Sequence, residues 1–435
     1  MSVSATWCRA LGLAAAAAAA CAPLHGAVVP VSTTAQLVAA IAAAQPGAVI
    51  TLAPGTYDVS SPILCDRPGT PDASIVVRSA APGGARLRVS AVEGFKVSAP
   101  YWTFENLWME GVCADHDDCE HAFHVVEGAD FLVLRNNRLS DFNAQVKGNG
   151  EGDPYVFPDD VLIVGNELHD TAPRQTANPV TKIDVVGGRR WVVRGNFIHD
   201  FAKAGGDEIS YAAFLKGGSY HGLFERNLVI CERDHQGGVR VGLSFGGGGG
   251  TGPGCEDGIC SPLHRHGVMR NNLVLHCPAD VGIYLNEAYD ARIYGNTLYR
   301  TTGIDVRFPS SVADLRNNVL SGPIRNRDGG VSTEGANLES VGLADFDAWF
   351  ADPAAADFTL VAGESIVDQG ERLVELPDDY CGAVRRSGSA DRGAVEYQPA
   401  GTTAPCDTSR AGGGTELFRD GFERGGAGAW SGRSP

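Results

Sequence analysis

The chain has 435 residues, of which 43% are hydrophobic, with 56 glycines and 23 prolines. That content supports a large core and excludes a disordered chain, and the glycines lack the three-residue period of collagen. The formal net charge of −17 argues against a nucleic-acid partner and against global steering of a polyanion.

In chain order, residues 1–27 read as an export signal. Arg9 gives the positive start, Leu11 to Cys21 the alanine-rich apolar core, and cleavage is expected near Gly26 or Ala27. A lipoprotein with Cys21 as the lipidated residue is the competing reading. No later run of 18 apolar residues occurs, so no transmembrane helix is expected. The chain is therefore expected to be secreted or displayed on the cell surface. Residues 28–58 form an N-terminal cap, with a short helix opened by Ser32, Thr33 or Thr34 and closed by Gly47, then a first strand in "AVITLA".

Residues 59–322 are repetitive. "FLVLRNNRL", "VLIVGNELHD", "WVVRGNFIHD", "GLFERNLVIC" and "ARIYGNTLYR" share an alternating strand, an asparagine and a second short strand. The aligned asparagines are Asn106, Asn137, Asn166, Asn196, Asn227, Asn272, Asn296 and Asn318, spaced by 31, 29, 30, 31, 45, 24 and 22 residues. Strands at such a period predict an all-β solenoid, a right-handed parallel β-helix. Each asparagine would take the left-handed bend and bond its amide to the next coil. Residues 323–398 read as final coils and a closing segment, and 399–435 as linker and tail.

Export permits disulfides. The spacings pair Cys113 with Cys119, Cys255 with Cys260, Cys231 with Cys277 and Cys381 with Cys406, leaving Cys65 or another thiol free. Zinc is the rival reading for the short spacings. The acidic loop "CADHDDCEH" offers Asp115, Asp117 and Asp118 for Ca²⁺.

A second family of strands precedes the asparagines: "FHVVEG", "KIDVVGG", "AAFLKGG", "GVRVGLSF", "VGIYLNEA" and "GIDVRFP". Alternation places Ile183, Val185, Ala213, Leu215, Val239, Val241, Leu243, Ile283, Leu285, Ile304, Val306 and Phe308 inside. Outside lie Lys182, Asp184, Phe214, Lys216, Arg240, Ser244, Tyr284, Asn286, Asp305 and Arg307, a polar stripe for a ligand. Glu287, His264 and His266 join it from the strand end and from the long loop 246–267. Segment 141–160 reads as another loop insertion rimming the groove. A solvated sheet face with weak ion pairs is the bland alternative.

This pattern resembles secreted right-handed parallel β-helix proteins of the pectate lyase-like class from about residue 31 to 398. "FLKGGSYHGLFERN…GGVRVG" is similar to the catalytic region of chondroitinase B-like and alginate lyases of polysaccharide lyase family six. That resemblance implies β-elimination on a uronate-containing polysaccharide, with Lys216 as base and Arg240 as its cationic partner. Arg240 is followed by Val-Gly and lies 24 residues on. The family's calcium-binding carboxylates would fall near Asp207 and Glu208. A monomer is expected. The alternatives are a non-catalytic carbohydrate-binding or cell-surface solenoid, and a glycoside hydrolase using two of Asp184, Glu287 and Asp305.

Overall fold

The computed structural model describes residues 26–248, 254–385, 389–398 and 407–409. The export signal, Cys21 and the tail lie outside these residues. The described strands form three long parallel sheets of 12, 10 and 10 strands, beside two small ones. Successive strands in each long sheet come from successive turns of the chain, giving ten complete coils. Each coil runs from a strand of sheet 1, through a tight turn, to sheet 2, then through a longer loop to sheet 3. Coil 6 is typical: Val192–Arg194, Phe197–His199 and Ile209–Lys216. This is the right-handed parallel β-helix that the repeat predicts.

The asparagine ladder is present, with three corrections. From Asn166 through Asn318, each side-chain oxygen accepts from the backbone and amide N–H groups of the previous rung at 2.9–3.1 Å. Asn337 extends the ladder by one rung beyond the expected set. Asn106 is not a rung: Leu107 stands there and donates its backbone N–H to Asn137 at 3.0 Å. The left-handed bend falls on the residue before each rung, including Asn106, Asn136, Gly165, Arg226, Asn271 and Asn317. The rung asparagine supplies the hydrogen bonds, and its neighbour supplies the bend.

At the N-terminal end a helix spans Thr34–Ala42, with Thr33 accepting from the Gln36 backbone N–H. Leu37 and Ile41 are its buried face, which lies over coil 1 and covers sheet edges that would otherwise be open. At the other end, residues 338–385 and 389–397 fold back over the outer face of sheet 2. Phe346, Phe350, Phe358, Ile366 and Tyr380 pack there against Leu228, Ile230, Leu273, Leu275 and Tyr299. The main core fills the solenoid bore, where Phe95 and Phe123 stack at 5.4 Å.

Disulfides join Cys113 to Cys119, Cys231 to Cys277 and Cys255 to Cys260, while Cys65 is a buried free thiol. Cys381 is disulfide-bonded, and Cys406 lies outside the described residues. Among the described residues no helix is long and apolar enough to cross a membrane.

Candidate active site

Sheet 3 carries the candidate site, and its strands are not simple alternators. In coils 5, 6 and 7 the register pairs Thr181, Tyr211 and Val241, then Ile183, Ala213 and Leu243. Lys182, Ala212 and Gly242 fall between these pairs, so each strand holds an extra residue. The outward positions are therefore 181, 184 and 186 in coil 5, 211, 214 and 216 in coil 6, and 241, 244 and 246 in coil 7.

This shift moves several predicted side chains. Lys182 does not face the groove: it is fully buried, with Nζ donating to Asp170 at 2.6 Å and to the Phe142 carbonyl at 2.9 Å. Arg240 pairs in register with Ser210, whereas Gly246 of the same strand follows Phe245, the partner of Leu215 beside Lys216. The six-residue offset separates Lys216 and Arg240 by roughly 20 Å along the strands. The Arg240 guanidinium is buried under the loop after Cys231, donating to the Gly237 carbonyl at 2.8 Å and to the Cys231 carbonyl. The expected Lys216–Arg240 pair is absent. Val241 joins an outer apolar cluster with Tyr211, Val281 and Tyr284 instead of the core.

Lys216 does point outward and is half-buried. Its Nζ donates to the Gly248 carbonyl at 2.9 Å and sits 4.4 Å from the centre of the Phe214 ring. Among the described residues it has no ion-pair partner. Burial holds its pKa below the usual lysine range; Asp184 opposes that shift and Lys147 adds to it. Asp184 faces outward one coil away and is engaged by Lys147 at 2.8 Å.

Coil 7 presents only small residues beside Lys216. The Ser244 hydroxyl is buried and turned to the Gly246 and Tyr284 carbonyls at 2.7 and 3.1 Å. Gly246 has a φ of +76°, and a Cβ there would come within 1.7 Å of the Asn286 carbonyl. The coil therefore leaves a depression two coils wide, about 10 Å at the spacing of parallel strands. It adjoins a pocket of about 460 Å³ lined by Tyr211, Val241, Gly247, Gly248, Tyr284 and Asn286, among others; Lys216 does not line the pocket and meets it through the Gly248 carbonyl. Cys260 and Leu263 of the long loop form one wall. Glu256 ties that loop to Arg189 at 2.8 Å.

On the far side the Tyr284 hydroxyl oxygen accepts from Asn286 Nδ2 and Arg307 Nη1, both at 3.1 Å. With two donors aimed at its oxygen, the phenol's own proton is free to be given elsewhere. Arg307 is held at 2.5 Å by Asp328. Asp280, Glu287, Asp305 and Arg327 also line the pocket. Asp305 is paired with Arg325 at 2.6 Å and with Arg327.

His264 and His266 leave the predicted site. His264 is buried, stacked on Phe245 at 4.2 Å, with Nδ1 on the Ser219 hydroxyl at 2.8 Å. His266 lies on another corner of the solenoid, where it stacks on His221 and pairs with Asp290 at 2.7 Å. The candidate calcium ligands are not gathered. Asp115 caps a short turn, Asp117 bonds Thr176, and Asp207 pairs with Lys203. Asp115, Asp117 and Asp118 belong to coil 3, and Asp207 and Glu208 to coil 6. These are two separate candidate sites, three coil spacings or about 14 Å apart, and among the described residues neither gathers three metal-ligand atoms.

Sequence reasoning missed Lys147, Asp280, Tyr211, His121 and His124. Lys147 lies on strand Ala144–Asn149, inside the segment read as a loop insertion. His124 bonds Glu93 at 2.6 Å and Asn149 at 2.8 Å, extending the polar stripe toward coil 2. Its outward position follows from simple alternation within "FHVVEG".

No family model matches the chain, and no curated protein matches it. Among solved structures it is similar to pectate lyase Pel9A, with 16% identity and a TM-score of 0.60 over 86% of this chain and 97% of that one. It also matches a rhamnogalacturonan lyase at 13% identity and TM-score 0.44, covering 72% of this chain and 87% of that one. An alginate lyase from Paenibacillus sp. str. FPU-7 matches at 16% identity and TM-score 0.41, covering 72% and 99%. The likeness to pectate lyase Pel9A establishes the architecture of this chain as a parallel β-helix.

Proposed function

We propose that this protein is an exported polysaccharide lyase that cleaves a uronate-containing chain by β-elimination. The observation that carries the reading is Lys216 at the rim of the coil 7 depression. It is half-buried and, among the described residues, has no ion-pair partner, and Tyr284 faces the same depression from the other side. A solvated structural face has no use for a lysine partly stripped of water.

In this reading a uronate ring lies over Ser244 and Gly246. Arg307 and Arg327, which line the pocket, draw charge from the carboxylate and acidify the neighbouring ring proton. Neutral Lys216 removes that proton. The electron pair forms a carbon–carbon double bond and the glycosidic carbon–oxygen bond breaks. Tyr284 gives its proton to the departing oxygen, and the phenolate left behind is met by the two donors it already has, Asn286 and Arg307. Arg240, buried elsewhere, takes no part. Tyr211, which lines the pocket, offers its ring to the sugars.

The test is incubation with a panel of uronate polysaccharides, with added Ca²⁺ or EDTA, following both ultraviolet absorbance and reducing ends. Elimination alone creates the absorbing unsaturated uronate. Absorbance rising with reducing ends is expected. Reducing ends without absorbance would instead assign hydrolysis by the pocket carboxylates Asp280, Glu287 and Asp305. Binding without either product would assign a carbohydrate-binding solenoid.

A further inference from the structure

On the outer face of sheet 2, away from the groove, Glu167 and His169 of coil 5 meet His199 of coil 6. The register stacks His169 directly on His199, and their rings lie 4.6 Å apart and 7° from parallel. Glu167 Oε1 is 3.4 Å from His199 Nε2 and 3.8 Å from His169 Nδ1. One ligand atom from each of the three residues falls within 4.8 Å of the others.

Three observations separate this cluster from an ordinary buried network. First, His169 is 6% exposed and its Nδ1 is buried with no hydrogen-bond partner. A buried histidine nitrogen with no hydrogen-bond partner has a lone pair to give. Second, His199 Nδ1 is committed to Asp200 Oδ2 at 2.7 Å. Asp200 is itself fixed at its other oxygen by the backbone N–H groups of Arg233, Asp234 and His235 at 2.8–3.2 Å. A carboxylate on one ring nitrogen is the arrangement that orients a histidine to ligate through the other. Third, Glu167 Oε1 lies 3.4 and 3.8 Å from the two nitrogens, near the roughly 3.3 Å that bonds of about 2.0–2.1 Å set between ligand atoms of a tetrahedral site.

We propose that Glu167, His169 Nδ1 and His199 Nε2 bind one divalent transition-metal ion of the zinc class, with Asp200 as the orienting residue. Two imidazoles and a carboxylate match that class rather than calcium, which prefers an all-oxygen set. Seating the ion requires both rings to turn out of their parallel stack, because an ion between them lies outside both ring planes. It also requires Glu167 to turn from Arg138, which approaches at 3.7 Å from the exposed side. The ion displaces any proton shared between His199 Nε2 and Glu167, so binding releases up to one proton. Water completes the coordination. Such an ion would clamp coil 5 to coil 6 independently of the groove.

The test is titration of the EDTA-treated, dialysed full chain with zinc chloride by calorimetry in two buffers of different ionisation enthalpy. Cobalt chloride serves as an optical probe of coordination. One equivalent per chain with proton release, and a tetrahedral Co²⁺ spectrum, are expected. Glu167→Gln, at a half-buried position that tolerates the change, should weaken zinc at least tenfold, as should His169→Asn. His266→Asn, at the exposed His266–Asp290 pair, should leave zinc binding unchanged. No binding at micromolar zinc, or binding undiminished in both Glu167→Gln and His169→Asn, overturns the proposal.

Discussion

At the scale of single residues, burial rather than pairing sets the most displaced histidines. His264 is pushed down to about 3 and His121 to about 4, each chiefly by desolvation. An unfolded imidazole titrates near 6.5. Between pH 6.5 and about 4 the unfolded chain therefore takes up protons that the folded chain refuses. These groups contribute stability that is present above pH 6.5 and is lost as pH falls through that window. The melting temperature of EDTA-treated protein should drop progressively from pH 6.5 to 4, and a flat profile there would refute the assignment. Residue-scale reading from sequence was good where alternation held and failed where it broke. Lys216, Tyr284, Asn286 and Arg307 lie on outward positions as expected. Lys182 turned inward because its strand carries an extra residue, which no local composition signals. Arg240 was misplaced by register: its strand begins further back relative to Lys216 than the chain spacing suggests.

At the scale of elements, the asparagine ladder is the recurrent device. Each interior rung is buried and satisfies both its own amide and the backbone of the coil before it. Asn227 accepts from the Asn196 backbone and amide and donates to the Val193 carbonyl and to Asn272. Asn227→Ala strands these buried partners, so it should cost about 1–3 kcal/mol in denaturant unfolding. Asn337→Ala, at the half-exposed last rung, should cost less; equal costs would mean that the rungs do not act through burial. The ladder was legible because asparagine recurs at one position in a repeated strand pair. The terminal rung was hidden because its coil is incomplete. Strand Ala144–Asn149 was hidden too, because its glycine and polar residues read as a loop.

At the scale of the whole molecule, the solenoid divides its labour among faces. Sheet 1 and the inner side of sheet 2 hold the bore closed, and the C-terminal segment covers the outer side of sheet 2 over the later coils. Sheet 3 is left open, and small residues in one coil hollow it beside a disulfide-braced loop. Repetition made this architecture readable from sequence. The position of the hollow was not, because it depends on which coils place Ser244 and Gly246 between Lys216 and Tyr284. The central claim is that this hollow performs elimination through Lys216. Its most direct measurement compares wild type with Lys216→Ala for release of ultraviolet-absorbing product from the same uronan. The account predicts product from wild type and a loss on the order of 10²–10⁴-fold in the variant, with the fold and melting temperature kept. Equal rates from the two proteins would contradict it.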